Sequence, residues 1–509
     1  MIQTLKKMFG VMKSEVLVIF TISFCFAIFA NLANIHVSHL MYGSADGILY
    51  GSTLVSPDNV WYLNQFKNYL NGLGFTIDPL DPIYAVRRTP GYPMFYGLHY
   101  MLFGEAWAHK IIPYTQSFLH AFAAVYLFKM AKLLFANSKF GYWSGILYGL
   151  SPFVVSFLFM TITESLFPSI IIFSLYFVVS SYTNNSLSRS IYGGMVMAMA
   201  VLISPRVILL LLFVIPLSIY FKNLTKAQII KINIAFISAF IITMSPWTVR
   251  NYIVLGKFVP LETYYLNHTF EDQNIKLISL TEWWATWGSP DKDRLHAQLA
   301  GDLFSGTPYK SIDLFINNEV PNWVFGIESK SHLKALLIEY HNCMLRSKEL
   351  NGGRRLRYQE QPDLCEFTVS AGFDAFAKKI RAQYPVHAYI ISPLFIRGMQ
   401  YIFHSAIHNW RSFDDYKSHP AKIVLKGLAY AINIFLWLFS IAYLMSKRIS
   451  TEKILLGIVP VVSFIFMIYY RHVEGRYLIQ IYPFLYLMAT IFAIESFLPA
   501  CKKFIVSFR

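Results

Sequence analysis

The feature that most constrains this chain is a series of apolar stretches long enough to cross a bilayer. Residues 162–180, 207–221 and 454–470 are dominated by aliphatic and aromatic side chains, and about 20 such residues in a helix span roughly 30 Å of hydrocarbon. Charged residues make up only 14% of the 509 residues, whereas soluble domains carry about 25%. Because lipid offers the backbone no hydrogen-bond partners, these stretches predict an all-α polytopic membrane protein.

The apolar pattern predicts ten membrane-spanning helices. The first apolar stretch, residues 16–35, is longer than the roughly 7–15 residues of a signal-peptide core, so we interpret it as a membrane anchor that is not cleaved. Residues 90–104 are apolar but short and contain Pro90 and Pro93, so we expect a juxtamembrane helix there. The predicted spans are 16–35, 112–131, 142–160, 163–181, 191–204, 206–221, 230–249, 423–445, 454–470 and 477–498.

The distribution of charge predicts the orientation. The formal net charge is +16, from 44 basic and 28 acidic residues. Six segments assigned to the cytoplasm, at 1–15, 129–142, 181–190, 222–231, 446–453 and 502–509, hold 16 Lys and Arg but only two acids. The rest of the chain keeps 28 basic and 26 acidic residues, so the positive-inside bias accounts for the excess charge without a nucleic-acid partner. Both termini are therefore predicted to be cytoplasmic.

This topology divides the chain into three parts. Residues 1–250 form a transmembrane module whose first extracytoplasmic loop is 36–111, residues 251–420 form a larger extracytoplasmic region, and residues 421–509 form the C-terminal spans. Cys343 and Cys365 both fall in the second part. An oxidising compartment would permit a disulfide between them, and two free thiols are the alternative.

The first outer loop holds the most informative polar residues. Asp58 precedes an apolar pattern that includes Tyr62 and predicts an amphipathic helix. Its carboxylate suits either an N-cap or a general base acting on an acceptor. Arg87 and Arg88 precede a stiff Thr-Pro-Gly-Tyr-Pro turn, where they suit either lipid headgroups or a bidentate clamp on a lipid phosphate.

Other charged residues fall at span ends on the same predicted outer side. Glu164 lies between two apolar stretches, where an unpaired acid is expensive, so pairing with Arg206 or Arg250 is the structural interpretation. His472, Glu474 and Arg476 occupy a very short final outer turn, which is either a simple connection or a contact to a donor phosphate. The topology follows from the cytoplasmic charges alone, and the convergence of these other residues on one side indicates a site there.

Several common chemistries lack their sequence patterns. The chain contains no Walker loop, Rossmann glycine pattern or Gly-x-Ser-x-Gly elbow, so ATP, NAD and serine-hydrolase chemistry lose their usual support. No HExxH or CxxC zinc pattern occurs either. No cofactor is therefore predicted with certainty, and the residues leave open whether a divalent cation takes part.

Together these motifs resemble the GT-C superfamily of polytopic glycosyltransferases, near its bacterial ArnT-like and protein-mannosyltransferase-like branch. Five elements occur in the family's order over about half of the chain. One departure is that Asn59 follows Asp58 where some relatives have Asp-Glu, which weakens the case for a paired-acid mechanism. The matching elements are Asp58 with Tyr62-Leu63, the segment Arg88-Thr89-Pro90-Gly91-Tyr92-Pro93, Thr163-Glu164, residues 246–252 followed by 256–260, and Glu474-Gly475-Arg476-Tyr477.

The resemblance implies an inverting transferase in a bacterial inner membrane with an extracytoplasmic active site. Its donor would be a polyprenyl-phosphate-linked sugar, and its acceptor a cell-envelope glycan, lipid or protein. Residues 251–420 match no recognised module, and we expect them to determine the choice of acceptor. Asp58 would be the base, and Arg87, Arg88 and Arg476 would hold the donor phosphate. Tyr62, Glu164, Arg206, Arg250, His472 and Glu474 would support them. A transporter of a lipid-linked saccharide is the alternative, although transporters place ionisable groups near the bilayer midplane and these residues lie at span ends.

Overall fold

The computed structural model describes most of the chain. The described residues are 14–42, 49–50, 53–54, 59–79, 85–135, 137–262, 275–288, 310–350, 364–404, 417, 419–446, 449–469 and 475–507.

Helices make up nearly all of the regular structure, which confirms the predicted all-α class. Two antiparallel strands of two residues each, Leu49–Tyr50 and Thr53–Leu54, lie in the first outer loop. Short 3₁₀ helices cover Thr163–Ser165, Pro205–Phe213, Asn322–Gly326 and Gly475–Ile481, and π-helices cover His387–Arg397 and Ala493–Phe497. The α-helices are Ser14–Tyr42, Asn59–Leu70, Gly91–Phe103, Glu105–Leu134, Ser138–Gly149, Pro152–Val155, Phe167–Thr183, Leu187–Ile203, Val214–Tyr220, Lys226–Leu255, Ile275–Ala285, Lys310–Asn318, Lys330–Leu350, Leu364–Gln383, Gly398–Ile402, Pro420–Met445, Thr451–Tyr469, Tyr482–Phe492 and Leu498–Ser507.

Six helical segments of the described chain are long and apolar enough to cross a membrane, so the protein is an integral membrane protein. They are Ser14–His36, Glu105–Leu134, Lys226–Leu255, Pro420–Met445, Thr451–Tyr469 and Arg476–Lys503. Shorter apolar helical segments at Phe167–Thr183, Leu187–Ile203 and Pro205–Tyr220 coincide with three further predicted spans. The total of ten spans stays a prediction.

One predicted span, 142–160, is not a continuous helix. The helix Ser138–Gly149 ends there, and Ser151 is extended, with a side chain that accepts the backbone N–H of Val154. The helical conformation is disfavoured for a residue that precedes a proline, here Ser151. The first helix therefore stops before it, and Pro152 starts a new short helix that ends at Val155. The chain then runs irregularly to the turn that contains Glu164.

The chain folds as two compact units, each built from more than one stretch of sequence. Unit 1 comprises Met1–Thr263, Phe403–Ser463 and Leu478–Arg509, and unit 2 comprises Tyr264–Ile402 and Phe464–Tyr477. The three-part division predicted from the sequence stays a prediction, since nothing here assigns separate roles to those parts.

In unit 1, the long helix Lys226–Leu255 has clear start and stop signals. Thr225 and Gln228 form a reciprocal capping box at its N-terminus, which satisfies two exposed N–H groups. Gly256 ends the helix with φ of +64°, a conformation that glycine adopts without steric cost. The helix therefore extends through the whole Pro-Trp-Thr-x-Arg-Asn-Tyr motif before the chain turns.

Unit 2 has its own aromatic core. Trp283, Trp284 and Phe315 are among its most deeply buried side chains. A disulfide joins Cys343 to Cys365 and so connects the helices Lys330–Leu350 and Leu364–Gln383. The alternative of two free thiols, left open by the sequence, is thereby ruled out.

Candidate functional site

The helix Asn59–Leu70 organises the described part of the first outer loop. It buries Tyr62, Leu63 and Phe66 within unit 1, as the amphipathic pattern predicts. Asp58 immediately precedes this helix but lies outside the described residues. Its role as a base or as an N-cap therefore stays a prediction.

Arg87 and Arg88 lie against the first turn of that helix. The Cζ atom of Arg87 lies 5.7 Å from the Trp61 ring centroid, and that of Arg88 lies 5.7 Å from the Tyr62 ring centroid. Gln65, one turn further along, donates a hydrogen bond of 3.0 Å to the carbonyl of Arg88. Stacking on aromatic faces orients a guanidinium while its N–H groups, which point outward in its own plane, can still bind an anion.

A close helix approach fixes the start of the next helix, Gly91–Phe103. A Cβ atom on Gly91 would lie only 2.7 Å from the backbone nitrogen of Ile203, so glycine is required at this contact. Ile203 ends its own helix directly before the Ser204-Pro205-Arg206 break. The Arg87-Arg88 segment is therefore held beside the segment that carries Arg206.

Gln116 ties the same segment to the turn that carries Glu164. Its Oε1 atom accepts hydrogen bonds from the Tyr92 hydroxyl (3.0 Å) and the Ser165 hydroxyl (2.6 Å). Its Nε2 atom donates to the carbonyls of Leu158 and Met160. A fully bonded buried amide specifies the arrangement of the groups it joins, here three separate parts of the chain.

Glu164 pairs with Arg206. The distance from Oε1 of Glu164 to a terminal nitrogen of Arg206 is 2.9 Å, and the two side chains are 4% and 8% exposed. The Thr163 hydroxyl donates to the other carboxylate oxygen at 2.9 Å. Of the two partners that the sequence left open, the structure selects Arg206 rather than Arg250.

Glu262 is the residue of this site that sequence reasoning missed. Its side chain is buried at 2% exposure, and its carboxyl group accepts a hydrogen bond from the backbone N–H of Thr89. Burial raises its pKa above the ordinary value, against the opposing attraction of Arg88, Arg206 and Arg87. The only sequence signal was its place two residues after the Gly-Lys-Phe-Val-Pro segment at 256–260.

The Pro-Trp-Thr-x-Arg-Asn-Tyr motif positions two loops that bear on the site. Arg250 donates to the carbonyls of Phe75 (2.7 Å) and Ala85 (2.6 Å), just before Arg87. The Trp247 indole N–H donates to the Leu261 carbonyl at 2.6 Å, directly before Glu262. Arg250 therefore holds the backbone of residues 75 and 85, and its supporting role at the site stays a prediction.

The same helix holds the Glu262 loop through a second contact. The Asn251 side-chain amide donates to the carbonyl of Val259 at 2.9 Å. Two side chains one turn apart therefore fix residues 259–261 and present Glu262 to the arginines.

The final outer turn is only partly described. His472 and Glu474 lie outside the described residues. Arg476 belongs to unit 2, where its Cζ atom lies 5.5 Å from the Tyr477 ring centroid. Its predicted role in donor binding stays a prediction.

The described cluster in unit 1 carries a net positive charge. Three guanidinium groups, of Arg87, Arg88 and Arg206, accompany two carboxyl groups, of Glu164 and Glu262. Arginine forks match the geometry of phosphate oxygens, so the cluster suits a phosphate group. The described residues contain no group of three or more His, Cys, Asp and Glu able to hold a metal ion.

Comparisons with known proteins give structural matches alone. No family model matches the chain, and no curated protein does. One solved structure it resembles is the archaeal oligosaccharyltransferase AglB from Archaeoglobus fulgidus in complex with an inhibitory peptide and a dolichol-phosphate. That match has 10% identity and a TM-score of 0.48, and it covers 97% of this chain and 52% of AglB.

Another match is ArnT from Cupriavidus metallidurans bound to undecaprenyl phosphate. It has 12% identity and a TM-score of 0.35, and it covers 92% of this chain and 77% of that protein. This chain spans about half the length of the AglB chain. Both TM-scores are below 0.5, so any function proposed for this protein rests on its own residues.

Proposed function

We propose that this protein is a membrane glycosyltransferase that uses a polyprenyl-phosphate-linked sugar. It transfers the sugar with inversion to a cell-envelope glycan, lipid or protein on the extracytoplasmic face. Asp58 acts as the general base, and Arg87 and Arg88 bind the donor phosphate. Arg206 completes the binding site from the neighbouring segment.

The observation that carries this proposal is the contact of both arginines with the helix that Asp58 precedes. Arg87 and Arg88 stack on Trp61 and Tyr62, the third and fourth residues of that helix. The predicted base is therefore adjacent in sequence to the helix on which both predicted phosphate-binding groups stack. A transferase with a phosphate leaving group needs this combination, because one group activates the acceptor while others stabilise the departing charge.

The reaction follows from these roles. Asp58 accepts the proton of an acceptor hydroxyl or amine, and the acceptor atom forms a bond to the anomeric carbon. The bond from that carbon to the phosphate oxygen breaks, and its electron pair leaves with the phosphate. The arginines stabilise the charge that develops on that oxygen, and attack opposite the leaving group inverts the anomeric centre.

The two carboxyl groups of the cluster keep the arginines in place. Glu164 fixes Arg206 through a direct ion pair, and Glu262 is attracted to Arg88 and Arg206 together. An array of preorganised charges stabilises a transition state without reorganisation at the moment of reaction. We assign Glu164 and Glu262 positioning roles on this ground.

The apolar helices are consistent with a lipid donor. Four of the six candidate spans lie wholly in unit 1, so unit 1 lies in a bilayer, where a polyprenyl chain dissolves. The juxtamembrane helix Gly91–Phe103 exposes Met94, Met101 and Leu102. This apolar surface follows the arginines by only a few residues, so a phosphate bound by them would lie near its own lipid tail.

The experiment that tests the proposal is a transfer assay with labelled polyprenyl-phosphate sugars and a membrane extract as acceptor. We compare the purified wild type with Asp58→Asn and with Asp78→Asn, a control acid in the same loop. We expect one donor to be used, with transfer lost in Asp58→Asn and retained in Asp78→Asn. Movement of intact lipid-linked saccharide across proteoliposomes without transfer would instead favour a transporter.

A further inference from the structure

In unit 2, residues 385–402 form one continuous helical segment that includes the π-helix His387–Arg397 and the α-helix Gly398–Ile402. We call this segment the helix at 385–402. Its exposed face is apolar and its buried face is polar, the reverse of a water-exposed helix. Every side chain that is largely exposed between 386 and 402 is apolar, including Phe395 (62%), Val386 (59%) and Tyr389 (52%). The charged residue Arg397 is buried at 3% exposure. A helix at the surface of a soluble domain directs its charges outward and its apolar stripe inward.

The polar groups of this helix are used on its inner face. Arg397 donates to the carbonyl of Ala285 (2.6 Å) and to that of Ile468 (2.6 Å). Ser392 donates to the carbonyls of Ala285 (2.8 Å) and Gly288 (3.0 Å). These bonds fix the rotation of the helix, so its apolar face points outward as a consequence of packing.

The helix packs against the end of a membrane span. Residues 464–469 of the candidate span Thr451–Tyr469 belong to the same unit. The Tyr469 hydroxyl donates to the Tyr389 carbonyl at 2.7 Å, and the rings of Tyr401 and Phe464 lie 6.2 Å apart. The outer face of that span end is itself apolar, with Ile465 and Phe466 both exposed.

The apolar face of the helix is therefore continuous with a surface that lies in lipid. Contact with residues 464–469 covers about 9 Å of the span at 1.5 Å per residue. That length matches the roughly 5–10 Å to which an interfacial helix inserts its apolar face. Large contiguous exposed apolar surfaces mark membrane or protein contacts, and continuity with a span selects the membrane.

We propose that the helix at 385–402 is a membrane-embedded segment whose apolar face contacts lipid hydrocarbon in one leaflet. The sequence predicts that the whole of 251–420 lies outside the membrane, whereas this helix would anchor that region to the bilayer. The occupant of the face is lipid rather than a second copy of the chain.

The test measures the surroundings of spin labels in liposomes. Cys25 and Cys501 are the free cysteines, and both are replaced by Ser while the Cys343–Cys365 disulfide is kept. Single cysteines at Ile390, Phe395 and Met399 are then labelled with a nitroxide, one variant at a time. Frequent collision of the nitroxide with oxygen indicates a lipid environment, and frequent collision with a water-soluble nickel complex indicates exposure to water.

Two further exposed positions calibrate the result. Ile242→Cys lies on the span Lys226–Leu255 at 69% exposure, and Lys378→Cys lies on the helix Leu364–Gln383 of unit 2. We expect the oxygen-to-nickel ratio at the three test positions to shift to that of Ile242→Cys. A ratio like that of Lys378→Cys would overturn the proposal. A low collision rate with both oxygen and the nickel complex would also overturn it, because it would indicate that a second copy of the protein covers this face. Three independent positions keep the test valid if one variant fails to fold.

Discussion

Arg88 is the residue whose environment bears most directly on donor binding. Its side chain stacks on Tyr62, its carbonyl accepts from Gln65, and Glu262 is attracted to its charge. These interactions hold the Arg88 backbone against the helix Asn59–Leu70 and its guanidinium over the Tyr62 ring. Charge alone does not reproduce this, because the lysine ammonium lacks the planar fork of arginine.

Arg88→Lys therefore tests geometry at constant charge. We expect transfer to fall by roughly 10²-fold, the loss typical of removing one preorganised donor at a developing charge. Arg189→Lys, outside the cluster, is the matched control and should leave the rate unchanged. Equal rates for Arg88→Lys and the wild type would show that Arg88 does not bind the leaving group.

Glu262 predicts a pH dependence of donor binding. Burial raises the pKa of its carboxyl group, and a bound phosphate would raise it further by like-charge repulsion. Donor binding then takes up protons at pH values between the lower pKa of the free protein and the higher pKa of the complex. Affinity should be highest below this window and fall as the pH rises through it.

The measurement is the dissociation constant of a polyprenyl phosphodiester, whose own charge is constant, as a function of pH. Glu262→Gln should abolish the pH dependence that this carboxyl group causes. Glu105→Gln, which removes a partly exposed acid paired with Lys67, should retain it. A pH dependence that persists in Glu262→Gln would assign the proton to another group.

At the scale of elements, the Glu164–Arg206 pair joins two irregular segments. Glu164 lies in the 3₁₀ turn before the helix Phe167–Thr183, and Arg206 lies in the 3₁₀ helix Pro205–Phe213. Neither segment has regular α-helical hydrogen bonding at this point. The ion pair therefore fixes the separation of two helix ends that the backbone alone would leave variable.

Breaking this pair should be costly because one charge stays buried. We expect Arg206→Met to destabilise unit 1 by roughly 3–5 kcal/mol, measured by thermal denaturation in detergent micelles. The double variant Glu164→Gln/Arg206→Met should recover much of that loss. Equal losses in the single and double variants would mean that the pair does not act as a unit.

The contact of Gly91 with Ile203 is the other joint between elements. Gly91→Ala places a methyl group 2.7 Å from backbone atoms, so the helix Gly91–Phe103 must shift and carry the arginines with it. We expect loss of transfer with the membrane helices retained, as measured by activity and by circular dichroism on the same sample. Gly427→Ala, whose added Cβ meets no atom within 4 Å, should retain activity.

At the scale of the whole molecule, the disulfide bears on topology. Cys343 and Cys365 are separated by 22 residues, and closing a loop of this size stabilises a fold by about 3 kcal/mol in the chain-entropy account. Disulfides persist in oxidising compartments. The bond therefore predicts that the two helices it joins, Lys330–Leu350 and Leu364–Gln383, lie on the extracytoplasmic side, as the charge distribution also indicates.

Maleimide labelling of protein from intact membranes measures this. We expect only Cys25 and Cys501 to react in the denatured protein without reductant, and all four cysteines to react after reduction. A Cys25→Ser/Cys501→Ser variant should react only after reduction. Labelling of that variant without reductant would contradict both the disulfide and the predicted side.

The sequence predicted the helices and most of the candidate residues because apolar runs and charge placement act locally. It did not predict which arginine pairs with Glu164, since Arg206 and Arg250 are both at span ends and only packing distinguishes them. Glu262 was missed because its importance comes from Trp247 and Asn251, which bring a loop acid to the arginines. The break at Ser151-Pro152 was readable from the residue before proline, but the surrounding apolar run obscured it.

The central claim, that Asp58 is the base of a transferase, is tested most directly by measuring binding and transfer on one preparation of Asp58→Asn. The prediction is that donor binding stays within about threefold of the wild type while transfer falls by at least roughly 10²-fold, the lower limit of a general base. Retained transfer would remove Asp58 from the mechanism. Loss of donor binding together with transfer would show that Asp58 maintains the loop rather than accepting the proton.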